Sequence, residues 1–104
     1  DPNNMHLVRD DYKDNPDFYH SLKAVQDGKV YTQIAYNWYT TNVEVAIADA
    51  YYAGTIIYPE QFKDIEIVEK ANEIFVHMLG DKAEHYYQDL VDGQLGFGEL
   101  NIEE

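Results

Sequence analysis

The chain has 104 residues, with 7 basic and 20 acidic side chains, a formal charge of −13 and no cysteine. The length suits one domain, and the lack of cysteine excludes disulfides, iron–sulfur clusters and thiol catalysis by this chain. A strongly negative field repels nucleic-acid phosphates and anionic membranes, so we expect neither as a direct partner; solubility alone also explains such a charge.

The first third of the chain predicts a short helix and a strand. Residues 1–14 are polar, and we expect them to be irregular. Residues 15–35 predict a helix, a turn and a strand. Asn15 and Pro16 are typical of a helix start. Gly28 follows an aspartate, and this pair is typical of a turn. The residues after Gly28 are rich in β-branched and aromatic side chains, which favour a strand.

Residues 36–42 carry three aromatic rings and a series of amide and hydroxyl groups, but no charge. They lie between the predicted strand and a helix, where α/β folds commonly place ligand sites. We therefore predict a ligand loop here, although an aromatic turn that only packs fits the pattern equally well. The following helix is expected to start at Thr41, whose side chain would form a capping box with Glu44.

Residues 43–92 predict the helical part of the chain, and residues 93–104 a glycine-rich tail. The first helix, residues 41–58, is apolar nearly all round, which is typical of a helix with a further covering surface. We expect a second domain or a second copy of the chain to cover it. The next helix should run from Ile65 to Leu79 and end at Gly80, and the last from Asp81 to about residue 91.

Residue types that support catalysis or metal binding are sparse. Ser21 is the only serine, and no nucleophile motif surrounds it. The four histidines include no pair at the spacing that places two ligands on one helix face. We therefore expect no enzyme activity, no cofactor and no metal site built by the protein.

Five phrases occur in order along the chain: LKAVQDGKVY at 22–31, YNWYTTNVE at 36–44, AIADAYYAG at 46–54, YPEQFKD at 58–64 and KANEIF at 70–75. A glycine-containing tail, GFGEL at 96–100, follows them. In this order the phrases resemble the substrate-binding proteins of ABC importers, of the type that carries iron–siderophore complexes, haem or cobalamin between two lobes joined by a rigid helix. The resemblance spans nearly the whole chain, and the tail departs most from the pattern because the paired glycines are broken.

The resemblance implies an α/β remnant dominated by helices. One or two short strands and four to five helices would come from the C-terminal lobe of a two-lobed periplasmic-binding-protein fold, the rest of which lies outside this sequence. The ligand-binding residues it implies are Tyr36, Asn37, Trp38 and Tyr39, facing an iron–siderophore or related metal complex.

The resemblance also implies partners and a location. The parent protein would be extracytoplasmic, periplasmic or anchored at the cell surface, with its leader outside this sequence, and peripheral to the membrane. It would dock on an ABC permease through surface carboxylates, for which the candidates are Glu60, Asp64, Glu66, Glu69 and Glu73. The alternative is a small acidic protein-interaction module, either a nucleic-acid mimic or a dimeric structural domain associating through residues 41–58.

Overall fold

The computed structural model describes residues 5–38, 40–93 and 96–103, and these are dominated by helices. Within those ranges there are six α-helices, one 3-10 turn and four strands of two residues each. The strands form two separate antiparallel pairs. The chain divides into two compact units, Asp1–Thr32 with Phe97–Glu104, and Gln33–Gly96; the single domain expected from the length stays a prediction.

The first helix, α1, spans Met5–Asp14, so the expectation of an irregular segment over residues 1–14 is wrong for its described part. The helix buries no residue fully, and its contacts come from side chains that reach other elements. The Tyr12 ring packs edge-on against Tyr19 at 5.8 Å between centroids. Tertiary contacts of this kind stabilise helices whose own sequence is a weak helix former, and sequence periodicity does not reveal them.

The predicted helix after Asn15 is present but divided. Helix α2 spans Pro16–Ser21 with Asn15 as N-cap and proline in its first turn, which confirms the start signal. Helix α3 spans Lys23–Gln26, after Leu22 takes an extended conformation. The Ser21 hydroxyl donates a hydrogen bond back to the Phe18 carbonyl at 2.5 Å. Serine side chains compete with the helical hydrogen-bond pattern in this way, which is consistent with the break.

The predicted strand at residues 29–35 is reduced to β1, Tyr31–Thr32. It pairs antiparallel with β4, Gly98–Glu99, with Tyr31 opposite Glu99. The Leu100 N–H extends this pairing by donating to the Val30 carbonyl at 2.7 Å. The short ladder brings the C-terminal tail beside the first unit's strand, which the glycine-rich tail sequence did not indicate.

The second unit begins with a hairpin of β2, Asn37–Trp38, and β3, Thr40–Thr41, followed by α4, Val43–Ile57. Helix α4 packs mainly against α5, Ile67–Leu79. Their buried side chains include Val45 and Ala48 from α4 and Phe75 from α5. Helix α4 also exposes three apolar side chains, Val43, Ile47 and Ile57.

The end of the second unit follows the sequence prediction in part. Gly80 ends α5 with a φ of 93°, a left-handed value that confirms it as the C-terminal cap. The capping pair expected from Asp81 does not open the last helix. Residues Asp81–Ala83 form the 3-10 turn without a side-chain cap, and α6 spans Tyr86–Gly93.

Candidate functional site

The predicted ligand loop is a tight β-hairpin that leads directly into α4. Asn37 pairs with Thr41, and Trp38 with Thr40. The Asn42 N–H donates to the Tyr36 carbonyl at 2.7 Å, which closes the base of the hairpin. The loop is thus held by its own backbone at the point where the helix begins.

The hairpin exposes part of the side-chain set that the sequence singled out. Tyr36 is 39% exposed, and Asn37 is also exposed. For Trp38 the structure describes the backbone alone, and Tyr39 lies outside the described residues. The hairpin therefore exposes an aromatic ring and an amide at neighbouring, uncharged positions, and these groups suit contact with the flat and polar parts of a small ligand.

The capping box expected at Thr41 and Glu44 is absent. Helix α4 has Asn42 as its N-cap, and no side-chain hydrogen bond caps it. Thr41 is instead part of β3, where its pairing with Asn37 takes it out of the capping position. Glu44 lies close enough to Tyr86 for its charge to raise the tyrosine pKa, although burial of Tyr86 is the larger cause of that rise.

A buried acid on α4 holds the segment that leads into the hairpin. The Ile34 N–H donates to Asp49 Oδ1 at 3.1 Å, and both residues are buried, Asp49 with 5% exposure. Asp49 Oδ2 has no hydrogen-bond partner among the described residues. Burial raises the pKa of Asp49 to about 6, and the bond from Ile34 partly opposes this rise.

Asp49 was not predicted as a site residue, although the sequence carried a signal. It is one of two charged residues on a helix that is otherwise apolar. A charge is placed in such surroundings only when a specific partner offsets part of the desolvation cost. Here that partner is a backbone N–H 15 residues earlier in the chain.

The first unit contains a second group of polar side chains. Tyr12 Oη lies 3.0 Å from His20 Nε2 and 3.2 Å from Glu103 Oε1. His20 Nε2 is also 3.2 Å from Glu103 Oε1. These three side chains come from α1, α2 and the C-terminal tail. Their separation in sequence left no motif that could have linked them.

A groove of about 490 Å³ lies beside this group in the first unit. Glu103 lines one part of it, and its walls combine aliphatic side chains with amides and carboxylates. The lining residues are Val25, Gln26, Gly28, Val30, Glu99, Leu100, Asn101, Ile102 and Glu103.

Comparison of the chain with protein-family models gave no match, and comparison with curated proteins gave none. Among residues 5–38, 40–93 and 96–103, no helix has the length and apolar character needed to cross a bilayer. No three side chains drawn from His, Cys, Asp and Glu converge as a metal-binding group in the same ranges.

Proposed function

We propose that this chain is part of the C-terminal lobe of an ABC-importer substrate-binding protein that captures an iron complex of the siderophore type. The observation that carries the proposal is the run of five sequence phrases in the family's order over residues 22–75, followed by a less similar tail at 96–100. One of these phrases forms the hairpin before α4, with Tyr36 and Asn37 exposed. No catalytic role is part of the proposal.

The proposed mechanism is capture between two lobes. The hairpin would supply one wall, with the Tyr36 ring against an apolar or planar part of the complex and the Asn37 amide against its carbonyl groups. The iron would already be coordinated by its chelator. A site with one wall buries much less ligand surface than a closed cleft, so we expect the isolated chain to bind such a complex weakly.

Docking on a permease would use carboxylates that remain free on the second unit. Two of the five candidates already have other partners. Glu66 accepts hydrogen bonds from the N–H groups of Val68 and Glu69 at the start of α5, and Glu73 pairs with Lys70 at 2.9 Å. The exposed candidates without a side-chain partner shown here are Glu60, Asp64 and Glu69, and we favour these for contact with a basic surface.

The experiment is a titration of the isotope-labelled chain with the gallium complex of a hydroxamate siderophore, which is diamagnetic and allows each amide to be followed by NMR. We expect weak, saturable shifts at residues 36–42, reduced in Tyr36→Ala. Tyr58→Ala is the matched control, because Tyr58 is an exposed tyrosine at the other end of α4. Shifts confined to residues outside the hairpin, or shifts that are unchanged in Tyr36→Ala, would contradict the proposal.

A second candidate, the acidic interaction module, is favoured by one observation. Helix α4 exposes Val43 by 50% and Ile57 by 65%, together with Ile47. An apolar stripe on an otherwise acidic chain is typical of a protein contact. In the transport proposal this stripe would be covered by the rest of the parent protein.

A further inference from the structure

Three side chains from separate elements of the first unit place one donor atom each at the corners of a nearly regular triangle. The atoms are Tyr12 Oη on α1, His20 Nε2 on α2 and Glu103 Oε1 after β4. The three sides of the triangle measure 3.0, 3.2 and 3.2 Å. A phenol oxygen, an imidazole nitrogen and a carboxylate oxygen are all potential metal ligands.

The size of the triangle matches one face of a coordination octahedron. Metal bonds to nitrogen and oxygen ligands are about 2.0–2.2 Å long, so two ligands at 90° lie about 3.0 Å apart in octahedral geometry. At the tetrahedral angle the same bonds would separate the ligands by about 3.4 Å. The observed sides of 3.0–3.2 Å therefore fit octahedral coordination better.

We propose that Tyr12, His20 and Glu103 form a binding site for ferric iron, which they hold as three ligands on one face of an octahedron. The remaining three positions are filled by water or by a small chelating anion. His20 binds through Nε2 and therefore carries its proton on Nδ1. Tyr12 releases its phenol proton to solvent as its oxygen bonds to the metal.

The donor set selects a hard, strongly acidic cation. Two of the three donors are oxygens, and the phenol binds firmly only after it loses its proton. A tyrosine phenol ordinarily keeps its proton at neutral pH, so removal of that proton by a metal requires a strong Lewis acid. A trivalent ion meets this requirement better than Zn²⁺, for which His20 and Glu103 alone supply two of the usual four ligands.

The surroundings allow a cation to enter and stay. The side chains of His20 and Glu103 are 52% and 57% exposed, so solvent ligands can reach the open face. The chain carries a formal charge of −13, which attracts cations. Next to the triangle, Tyr19 donates to Asp11 Oδ2 at 2.6 Å, which fixes the packing of α2 on α1. Without a metal, hydrogen bonds among the same three atoms keep them close together.

The site is independent of the proposed transport function, because it uses none of residues 36–42. No sequence motif indicates the site, since Tyr12 and His20 are 8 residues apart and Glu103 lies 83 residues beyond His20.

The test is a titration of the full chain with ferric nitrilotriacetate, read as a visible phenolate-to-iron charge-transfer band. We expect a saturable band with the wild-type chain and loss of the band in Tyr12→Phe, which keeps the ring. We expect His20→Gln and Glu103→Gln to weaken binding by about tenfold or more, as for other changes that disturb a metal site. Circular dichroism checks that each variant keeps its helices.

Two matched controls separate this site from general iron binding by an acidic chain. His85→Gln alters a second histidine–glutamate pair, in which His85 Nε2 lies 3.3 Å from Glu84 Oε1. Tyr19→Phe removes the neighbouring hydroxyl that bonds Asp11. Both should keep the band. No band with the wild-type chain, an unchanged band in Tyr12→Phe, or tighter binding of Zn²⁺ than of ferric iron would overturn the proposal.

Discussion

The main-chain N–H of Ile34 donates a hydrogen bond to the buried carboxylate of Asp49 at 3.1 Å. This bond ties the segment before the hairpin to the middle of α4. Asp49 is only 5% exposed, and its second oxygen has no partner among the described residues. The hairpin is therefore positioned by a group whose charge is costly to bury.

The charge on Asp49 should make the protein less stable as pH rises. The pKa of Asp49 is raised from 3.8 to about 6 in the folded protein. The folded state therefore holds a proton between about pH 4 and 6 that the unfolded chain has released, so the free energy of unfolding falls across this window. A shift of about two pKa units corresponds to roughly 3 kcal/mol.

Asp49→Asn is the variant that isolates this effect. Its side-chain oxygen can still accept the Ile34 N–H, but it carries no charge. We expect it to match the wild type near pH 4 and to exceed its stability at pH 7 by up to roughly 3 kcal/mol. Asp49→Ala should be less stable than Asp49→Asn by about 1–3 kcal/mol at either pH, because a buried N–H loses its acceptor. Urea unfolding at each pH measures the free energy of unfolding of both variants. If this free energy changed with pH in the same way for Asp49→Asn and the wild type, the account would be contradicted.

Gly54 on α4 is buried where the Phe62 ring crosses the helix. A Cβ added at Gly54 would lie 2.5–3.0 Å from three atoms of that ring. We expect Gly54→Ala to destabilise the protein, since overpacking costs about 1–3 kcal/mol and exceeds the gain of up to about 1 kcal/mol in helix propensity. Gly93→Ala is the control, because nothing lies within 4 Å of its added Cβ. Equal melting temperatures for the two variants would refute the close approach.

Helix α5 is capped by Glu66, which the sequence indicated as a docking candidate and not as a cap. The Glu66 carboxylate accepts from the N–H groups of Val68 at 3.3 Å and Glu69 at 2.7 Å. We expect Glu66→Ala to lower the free energy of unfolding by about 1 kcal/mol. Thr41→Ala should change it by less than about 0.5 kcal/mol, because Thr41 caps nothing. A larger loss of stability in Thr41→Ala than in Glu66→Ala would support a capping box at Thr41 instead.

Helix α4 should mediate self-association at high concentration. Its exposed stripe includes Val43, Ile47 and Ile57 and carries no charge, whereas the chain as a whole repels its own copies. We expect sedimentation velocity to detect association that increases with salt, and Ile47→Glu to abolish it. Leu79→Glu, at an exposed leucine on α5, should leave it unchanged. A monomer at every concentration and salt would contradict this role.

Local signals in the sequence predicted the elements that backbone chemistry decides. A helix starts at Pro16 after Asn15, as expected, although the Asn15 side chain makes no capping hydrogen bond, and Gly80 ends a helix with a left-handed φ. The helix-dominated character also followed from the sequence. These features depend on residues within a few positions of each other, so pattern rules apply to them directly.

Features that depend on distant residues were missed. Helix α1 is held by side chains such as Tyr12, whose partners lie on other elements. The sequence predicted Thr41 as a helix cap, but its pairing with Asn37 places it in a hairpin strand. Helix α4 is apolar nearly all round, so its pattern does not indicate which side is buried, and only the position of α5 decides it.

The central claim is that residues 36–42 form one wall of a cleft for a metal–siderophore complex, and the gallium–siderophore titration tests it most directly. Trp38 is the only tryptophan, so its indole N–H gives one identifiable side-chain signal inside the loop. The account predicts saturable shifts at this signal and at the amides of Tyr36 and Asn37, with a dissociation constant weaker than about 1 μM, roughly −8 kcal/mol. Sub-micromolar binding would contradict the one-walled site, and shifts confined to other residues would contradict the assignment of the loop.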